Sequence, residues 1–222
     1  MRYENITKGS FIDRPNRFVA HVEINGKVEA VHVKNTGRCR ELLISGAEVY
    51  LTEPGTPGRK TRYDLVAVRK GTGILFNIDS QAPNKVVKEW LAGQAFDKIV
   101  PEHTYGNSRI DFYMERSNQK YLMEVKGCTL EMDGIGYFPD APTERGVKHL
   151  HELIRAAGEG YKAIAAFVIQ MDDVTEVRPN TATHPEFAAA FAEAVAAGVQ
   201  ILMLPCNVEP DRLEIRKGFE VK

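Results

Sequence analysis

Between Ser108 and Gly127 the chain reads SRIDFYMERSNQKYLMEVKG, with Asp111, Glu124 and Lys126 set among alternating apolar residues. Two strands flank the polar loop Arg116-Ser117-Asn118-Gln119. If that loop closes a hairpin, Glu115 faces Lys120, and successive steps oppose Met114 to Tyr121, Phe112 to Met123 and Ile110 to Val125. That face is wholly apolar. The other face opposes Tyr113 to Leu122, Asp111 to Glu124 and Arg109 to Lys126. Opposed carboxylates sit with Cβ atoms about 5 Å apart and repel each other, so they need a cation or a raised pKa. A hard cation such as Mg²⁺ takes one or two carboxylates and keeps waters for substrate oxygens or chemistry. Lys126, two residues beyond Glu124 and on the same face, is suited to orient a water or to stabilise charge developing on a phosphate. The chemistry this set fits is metal-assisted phosphodiester hydrolysis. The bland alternative is a surface charge lattice in which Arg109 and Lys126 neutralise the acids. Glu-x-Lys is cheap on its own, since Glu220-Val221-Lys222 repeats it.

Other residues bear on the same chemistry. Glu89, on a helix preceding the hairpin, is a candidate further acidic ligand. Arg145, Lys148, His149 and Glu152 fall on one face of a helix whose apolar stripe reads Val147, Leu150, Ile154 and Ala157. Beside a metal site Arg145 and Lys148 suit phosphates; otherwise that face is an ordinary solvated one. The histidines lack metal-ligand spacing, and His149 and His151 point about 200° apart on a helix. Near the start, Arg14-Pro-Asn-Arg17-Phe18 and His32-Val-Lys34-Asn35-Thr36-Gly37-Arg38 mix basic, amide and aromatic groups, as nucleic-acid grooves do. Phe18 also reads as a core residue and Asn35-Thr36-Gly37 as a plain turn. No Gly-rich phosphate loop, nucleophile elbow or HExxH is present.

Positioning these residues requires two kinds of element. Over residues 1–80 the pattern is short strands, near 18–24, 28–33, 48–52, 62–69 and 74–78, with Asn25-Gly26 as a hairpin turn and a short helical piece over Arg38–Leu43. Five short strands predict a small closed barrel, OB-like. From Asn84 the period changes to helical, through Val86, Val87, Trp90, Leu91 and Phe96, which places a boundary near residue 80. Strands near 98–103, 109–115, 120–126, 161–169 and 199–204 then alternate with helices over 144–157, starting at Pro142 or Thr143, and over 185–197. That alternation predicts an α/β layered domain over 81–222.

The chain has 222 residues and 43 % apolar content, enough for one large or two small cores. The formal charge is −1. Residues 1–80 carry 13 basic and 9 acidic side chains, and residues 81–222 carry 16 and 21. A basic first part is compatible with a polyanion, and an acidic second part with a carboxylate metal site. Three cysteines without a CxxC pair argue against a zinc site or a disulfide scaffold. The longest apolar run, Ala163–Ile169, is too short to span a bilayer, and the opening residues hold no signal core. A cytoplasmic location is expected.

The segments RPNRF (14–18), HVKNTGR (32–38), SRIDF (108–112), EVKG (124–127) and FPDAPTERGVKHL (138–150) resemble the sugar fermentation stimulation protein family over nearly the whole chain. Where this family often has Pro, Lys34 stands. The resemblance implies an α/β (α+β) two-domain chain: an OB-like nucleic-acid-binding barrel over 1–80 and a PD-(D/E)XK nuclease-like domain over 81–222. By position it implies Asp111 and Glu124 as ligands of Mg²⁺ or Mn²⁺, with the carbonyl of Val125. Lys126 then orients water, and Glu89 matches a helical acid. Arg17, Arg38, Arg145 and Lys148 would grip phosphates, and Arg14, Lys34, Arg109 and His149 would add contacts. The implied partner is DNA or RNA. The alternatives are a DNA-binding regulator of sugar catabolism that keeps the nuclease fold as a scaffold, and a sugar- or nucleotide-sensing enzyme. The absence of a helix-turn-helix pattern weighs against the regulator.

Overall fold

The computed structural model describes residues 1–35, 37–55 and 57–216; Thr36 and the Glu220-Val221-Lys222 triplet lie outside them. The first sheet is built from β1 (Ile6–Asn16), β2 (Val19–Ile24), β3 (Lys27–Val33), β4 (Glu48–Thr52), β5 (Asp64–Arg69) and β6 (Leu75–Asn77). Its order is β3-β2-β1-β4-β5-β6, and a parallel pairing of His32 with Asp64 and Val33 with Leu65 closes β1–β5 into a barrel. Phe11, Val22, Val31, Leu51, Leu65 and Val68 fill it. The β2–β3 turn is tight because Asn25 and Gly26 both take positive φ, 51° and 75°.

Two expectations for this half change. β1 spans 11 residues, although Thr7-Lys8-Gly9-Ser10 lacks apolar alternation; the strand bulges around Asp13, where its register to β2 shifts. Residues 38–43 form one turn closed on the Cys39 carbonyl by the Leu42 and Leu43 amides, not a helix. The positive φ of 46° at Cys39 interrupts helical geometry there.

The second half is a mixed sheet of order β15-β14-β12-β9-β8-β7. The strands β7 (Lys98–Tyr105), β8 (Ser108–Arg116) and β9 (Gln119–Cys128) form an antiparallel meander. β12 (Lys162–Ile169) runs parallel to β9, β14 (Gln200–Glu209) parallel to β12, and β15 (Arg212–Ile215) antiparallel to β14. Helix α1 (Ala82–Ala92) buries Val86, Val87 and Leu91 with Phe112, Met114, Met123 and Val125 on one side. Helices α2 (Glu144–Gly158) and α3 (Pro185–Ala196) share the other core with Tyr113, Leu122 and Phe167. Phe96 lies beyond α1 and packs edge-on against Tyr121. A small sheet of β10 (Leu130–Met132), β11 (Ile135–Phe138) and β13 (Val177–Pro179) completes the fold. Thr143 caps α2, its hydroxyl accepting from the Gly146 amide. No helix among the described residues is long and apolar enough to cross a membrane.

The halves are joined through buried polar contacts. Gln170, 2 % exposed, donates from Nε2 to the Asn77 carbonyl, the Asn77 side chain and the Asp79 carbonyl at 3.0–3.2 Å. Lys70 pairs with Glu131 across the same junction at 2.6 Å.

Candidate active site

The β8–β9 hairpin has the register its sequence demands, from Arg116 opposite Gln119 to Phe112 opposite Met123. One step further it departs from strict alternation. Ile110 joins the core on the α2 side with Tyr113 and Leu122, not the face of Phe112 and Val125. The neighbouring β7 is irregular at the same level, with Glu102 at a positive φ of 54° between Pro101 and His103. Asp111 is thereby turned onto its neighbours. Its Oδ2 accepts the Val125 amide at 2.8 Å, and its Oδ1 accepts Nδ2 of Asn84, in the first turn of α1, at 2.7 Å.

Glu124 is 4 % exposed. Its Oε1 receives Lys126 Nζ at 2.8 Å and contacts Nδ1 of His149, while its Oε2 is buried with no partner. The carboxyls shift in opposite directions. Burial raises Asp111, the Glu124 charge adds to this, and the Val125 amide, Asn84 and Lys126 offset only part of it. Burial also works to raise Glu124, but the His149 hydrogen bond and Lys126 outweigh it and hold the group below its ordinary value. Both carboxylates and Lys126 open into a cleft of about 490 Å³, whose walls include Gln81, Asn84, Lys85, Glu102, Arg145 and His149.

Among the described residues no three His, Cys, Asp or Glu side chains enclose an ion. Two carboxylates, one with a buried unpartnered oxygen, still fit a hard cation that completes its shell with water. A larger cleft of about 940 Å³ lies between residues 1–5, the loop after β4 and α1. Three of its four acids are already paired, Asp64 with Arg59, Glu53 with Arg62 and Glu89 with the Met1 amino group; Glu4 is the fourth. The two carboxylates of the β8–β9 hairpin and Lys126 meet in the smaller cleft.

Several expected site residues stand elsewhere. Glu89 follows Asn84 by five residues, roughly 140° around the helix, and meets the Met1 amino group at 2.6 Å, away from Asp111. Arg14 spends its guanidinium on the carbonyls of Arg17, Asn35, Gly37 and Arg38, so it clips a loop. Lys34 is neutralised by fully buried Asp79 at 2.8 Å. Arg109 pairs with Glu102 at the rim, at 2.7 Å. Lys148 is exposed and lies 3.7 Å from Glu152. His149 and Glu152 are buried, not on a solvated face, because the inward side of α2 runs through Gly146, His149, Leu150 and Leu153. Arg17 lies over Phe18, itself half-exposed, and with Arg38 and Arg40 lines a basic hollow at the barrel. Asn84 and Glu102 carried no spacing signal, since each is a single polar residue placed by its neighbours.

The family model described as the SfsA N-terminal OB domain matches residues 12–78, and that of the sugar fermentation stimulation protein RE domain matches 81–212. The chain belongs to the sugar fermentation stimulation protein family. A family homolog from Desulfitobacterium hafniense (strain DSM 10664 / DCB-2) is 53 % identical over all of this chain and 98 % of its own length. Another from Ruminiclostridium cellulolyticum is 53 % identical over the whole of both chains. The solved structure of Pyrococcus furiosus SfsA in complex with Ca²⁺ aligns with a TM-score of 0.85 at 30 % identity, covering 100 % of this chain and 98 % of that one. The OB barrel followed by a mixed sheet with helices is thus the architecture of this sugar fermentation stimulation family chain.

Proposed function

We propose that this protein binds nucleic acid and hydrolyses phosphodiester bonds with a divalent cation, Mg²⁺ or Mn²⁺, at a PD-(D/E)XK-like site. The observation that carries this reading is the buried, unpartnered Oε2 of Glu124, a residue that lines the same cleft as Asp111 and Lys126. The Ca²⁺ complex of the Pyrococcus furiosus relative supports a site for a hard cation. Asp111 and Glu124 would hold the ion, and when bound it would supply Lewis-acid stabilisation of a phosphoryl oxygen and a more acidic water. The chain's own residues do the rest. Asn84 and the Val125 amide fix the Asp111 carboxylate. The Lys126 ammonium lies where it can orient a water or meet developing negative charge. Arg145 and Lys85, both exposed at the rim, suit backbone phosphates.

The test is incubation of labelled single-stranded, duplex and flap DNA, and of RNA, with Mg²⁺, Mn²⁺ or EDTA, beside Glu124→Ala. Metal-dependent cleavage that the variant loses is the expected result. Cleavage retained by a pure Glu124→Ala preparation, or none on any substrate, overturns the proposal. A second reading, binding without cutting, is favoured by Arg17, Phe18, Arg38 and Arg40. They form an exposed basic and aromatic patch on the barrel with none of the carboxylate-site residues. A footprint at defined DNA sites with no cleavage would support it.

A further inference from the structure

Three groups crowd one side of Glu124, and a neutral imidazole satisfies more of their hydrogen bonds in one tautomer than in the other. Arg145 Nε lies 3.3 Å from Nε2 of His149, one helical turn further along α2. A guanidinium only donates, so Nε2 must present its lone pair and the imidazole hydrogen sits on Nδ1. Nδ1 contacts Glu124 Oε1 and lies 3.0 Å from Lys126 Nζ. The ammonium cannot accept, so the Nδ1 hydrogen goes to Glu124. Oε1 therefore takes two donors, His149 and Lys126 at 2.8 Å, and Oε2 takes none.

We propose that His149, held in its Nδ1–H tautomer by Arg145, is a positioning residue that saturates one oxygen of Glu124 and so presents the other to a cation. This rests on the reading of the site as a cation site. Both ring nitrogens of His149 are engaged by its protein neighbours, Nδ1 by Glu124 and Nε2 by Arg145. His149 acts through Glu124, as hydrogen-bonded partners of metal-ligating side chains do. Burial at 4 % exposure and the one-turn spacing from Arg145 make the arrangement rigid. A packing role alone would explain a buried imidazole, but not the convergence of both neighbouring donors on one oxygen.

The experiment measures Mn²⁺ binding by calorimetry for the wild type, Glu124→Ala, His149→Leu and His149→Asn, with imidazole ¹⁵N spectra of the ion-free wild type. His149→Leu is expected to weaken Mn²⁺ binding about 10- to 100-fold. His149→Asn, whose amide N–H falls near the place of Nδ1–H, is expected to recover most of that loss. The neutral imidazole is expected to carry its hydrogen on Nδ1. If the wild type binds no Mn²⁺, or Glu124→Ala binds it equally well, the cation reading fails and this role falls with it. If Glu124→Ala abolishes binding while His149→Leu leaves it intact, only the role of His149 is overturned. Should His149→Leu not fold, the wild-type spectrum decides, and an Nε2–H tautomer overturns the proposal.

Discussion

Asp111 on β8 accepts the backbone amide of Val125 on β9 at 2.8 Å, one residue from Glu124 and one from Lys126. The side chain thus takes a hydrogen bond at the point where the regular hairpin pairing ends. It also fixes one carboxylate against the backbone that carries the second carboxylate and the lysine. The spacing of the three charges therefore depends on two strands that diverge at this point, each still paired to its outer neighbour, and not on flexible loops.

Asp111→Asn keeps an acceptor for Val125 and removes the charge. Thermal melting is expected to change by the equivalent of about 1 kcal/mol or less. Metal-dependent cleavage is expected to fall about a hundredfold or more. A folded Asp111→Asn protein that cuts at the wild-type rate would remove Asp111 from the site.

Arg14 and Arg38 should separate structure from binding, although both stand in basic motifs. Arg14→Ala leaves four backbone carbonyls without their shared donor and is expected to lower stability by about 2 kcal/mol. Arg38→Ala is expected to leave melting unchanged and to reduce the slope of log affinity against log salt by about 0.9 on duplex DNA, one phosphate contact. Filter binding at several salt concentrations, with melting curves alongside, distinguishes the two. Equal slopes for wild type and Arg38→Ala would place the nucleic acid elsewhere.

Gly127 sits where a Cβ would collide with Gln170 Oε1 and come within 2.7 Å of Pro83 Cγ. Gly127→Ala must push the end of β9 away from both α1 and the domain junction, at a cost of about 1–3 kcal/mol. Urea unfolding is the measurement, and an unchanged midpoint would show that the junction yields freely.

Glu48 gives the clearest pH effect. Lys8, Tyr50 and Arg69 all bond its carboxylate and hold its pKa down at about 2, against an ordinary 4.5. A depressed folded pKa adds stability that is complete above the unfolded value and lost as pH falls toward the folded one. The stability gap between wild type and Glu48→Gln should be constant above about pH 4.5 and shrink steadily toward pH 2. Denaturant unfolding across that range tests it, and a gap that does not shrink contradicts it.

What the sequence revealed followed from periodicity. The hairpin register from Arg116 to Phe112, the change from short strands to helices and the Thr143 cap are local patterns that one segment carries by itself. What it hid was decided by neighbours in space. Ile110 breaks alternation only because of how β7 is shaped beside it. Glu89 and Asn84 share a helix, and only the docking of α1 on the sheet determines which of them meets Asp111. His149 and Glu152 read as solvated because polar side chains dilute an apolar stripe, and their burial depends on partners from the sheet, Glu124 and Lys126 on β9 for His149 and the Ser108 hydroxyl on β8 for Glu152. β1 carries little sequence signal because among its residues only Phe11 is fully buried.

If the protein binds nucleic acid as proposed, the Gln170 and Lys70 contacts bear on how it meets a long strand. With buried hydrogen bonds and an ion pair spanning the seam, the arginine-lined hollow on the barrel and the carboxylate cleft behave as two fixed points of a gauge and not as beads on a string. A strand gripped at the hollow would reach the cleft only with a particular length or bend between the two. Selectivity could then reside in the geometry of that interval, with no base read at either end.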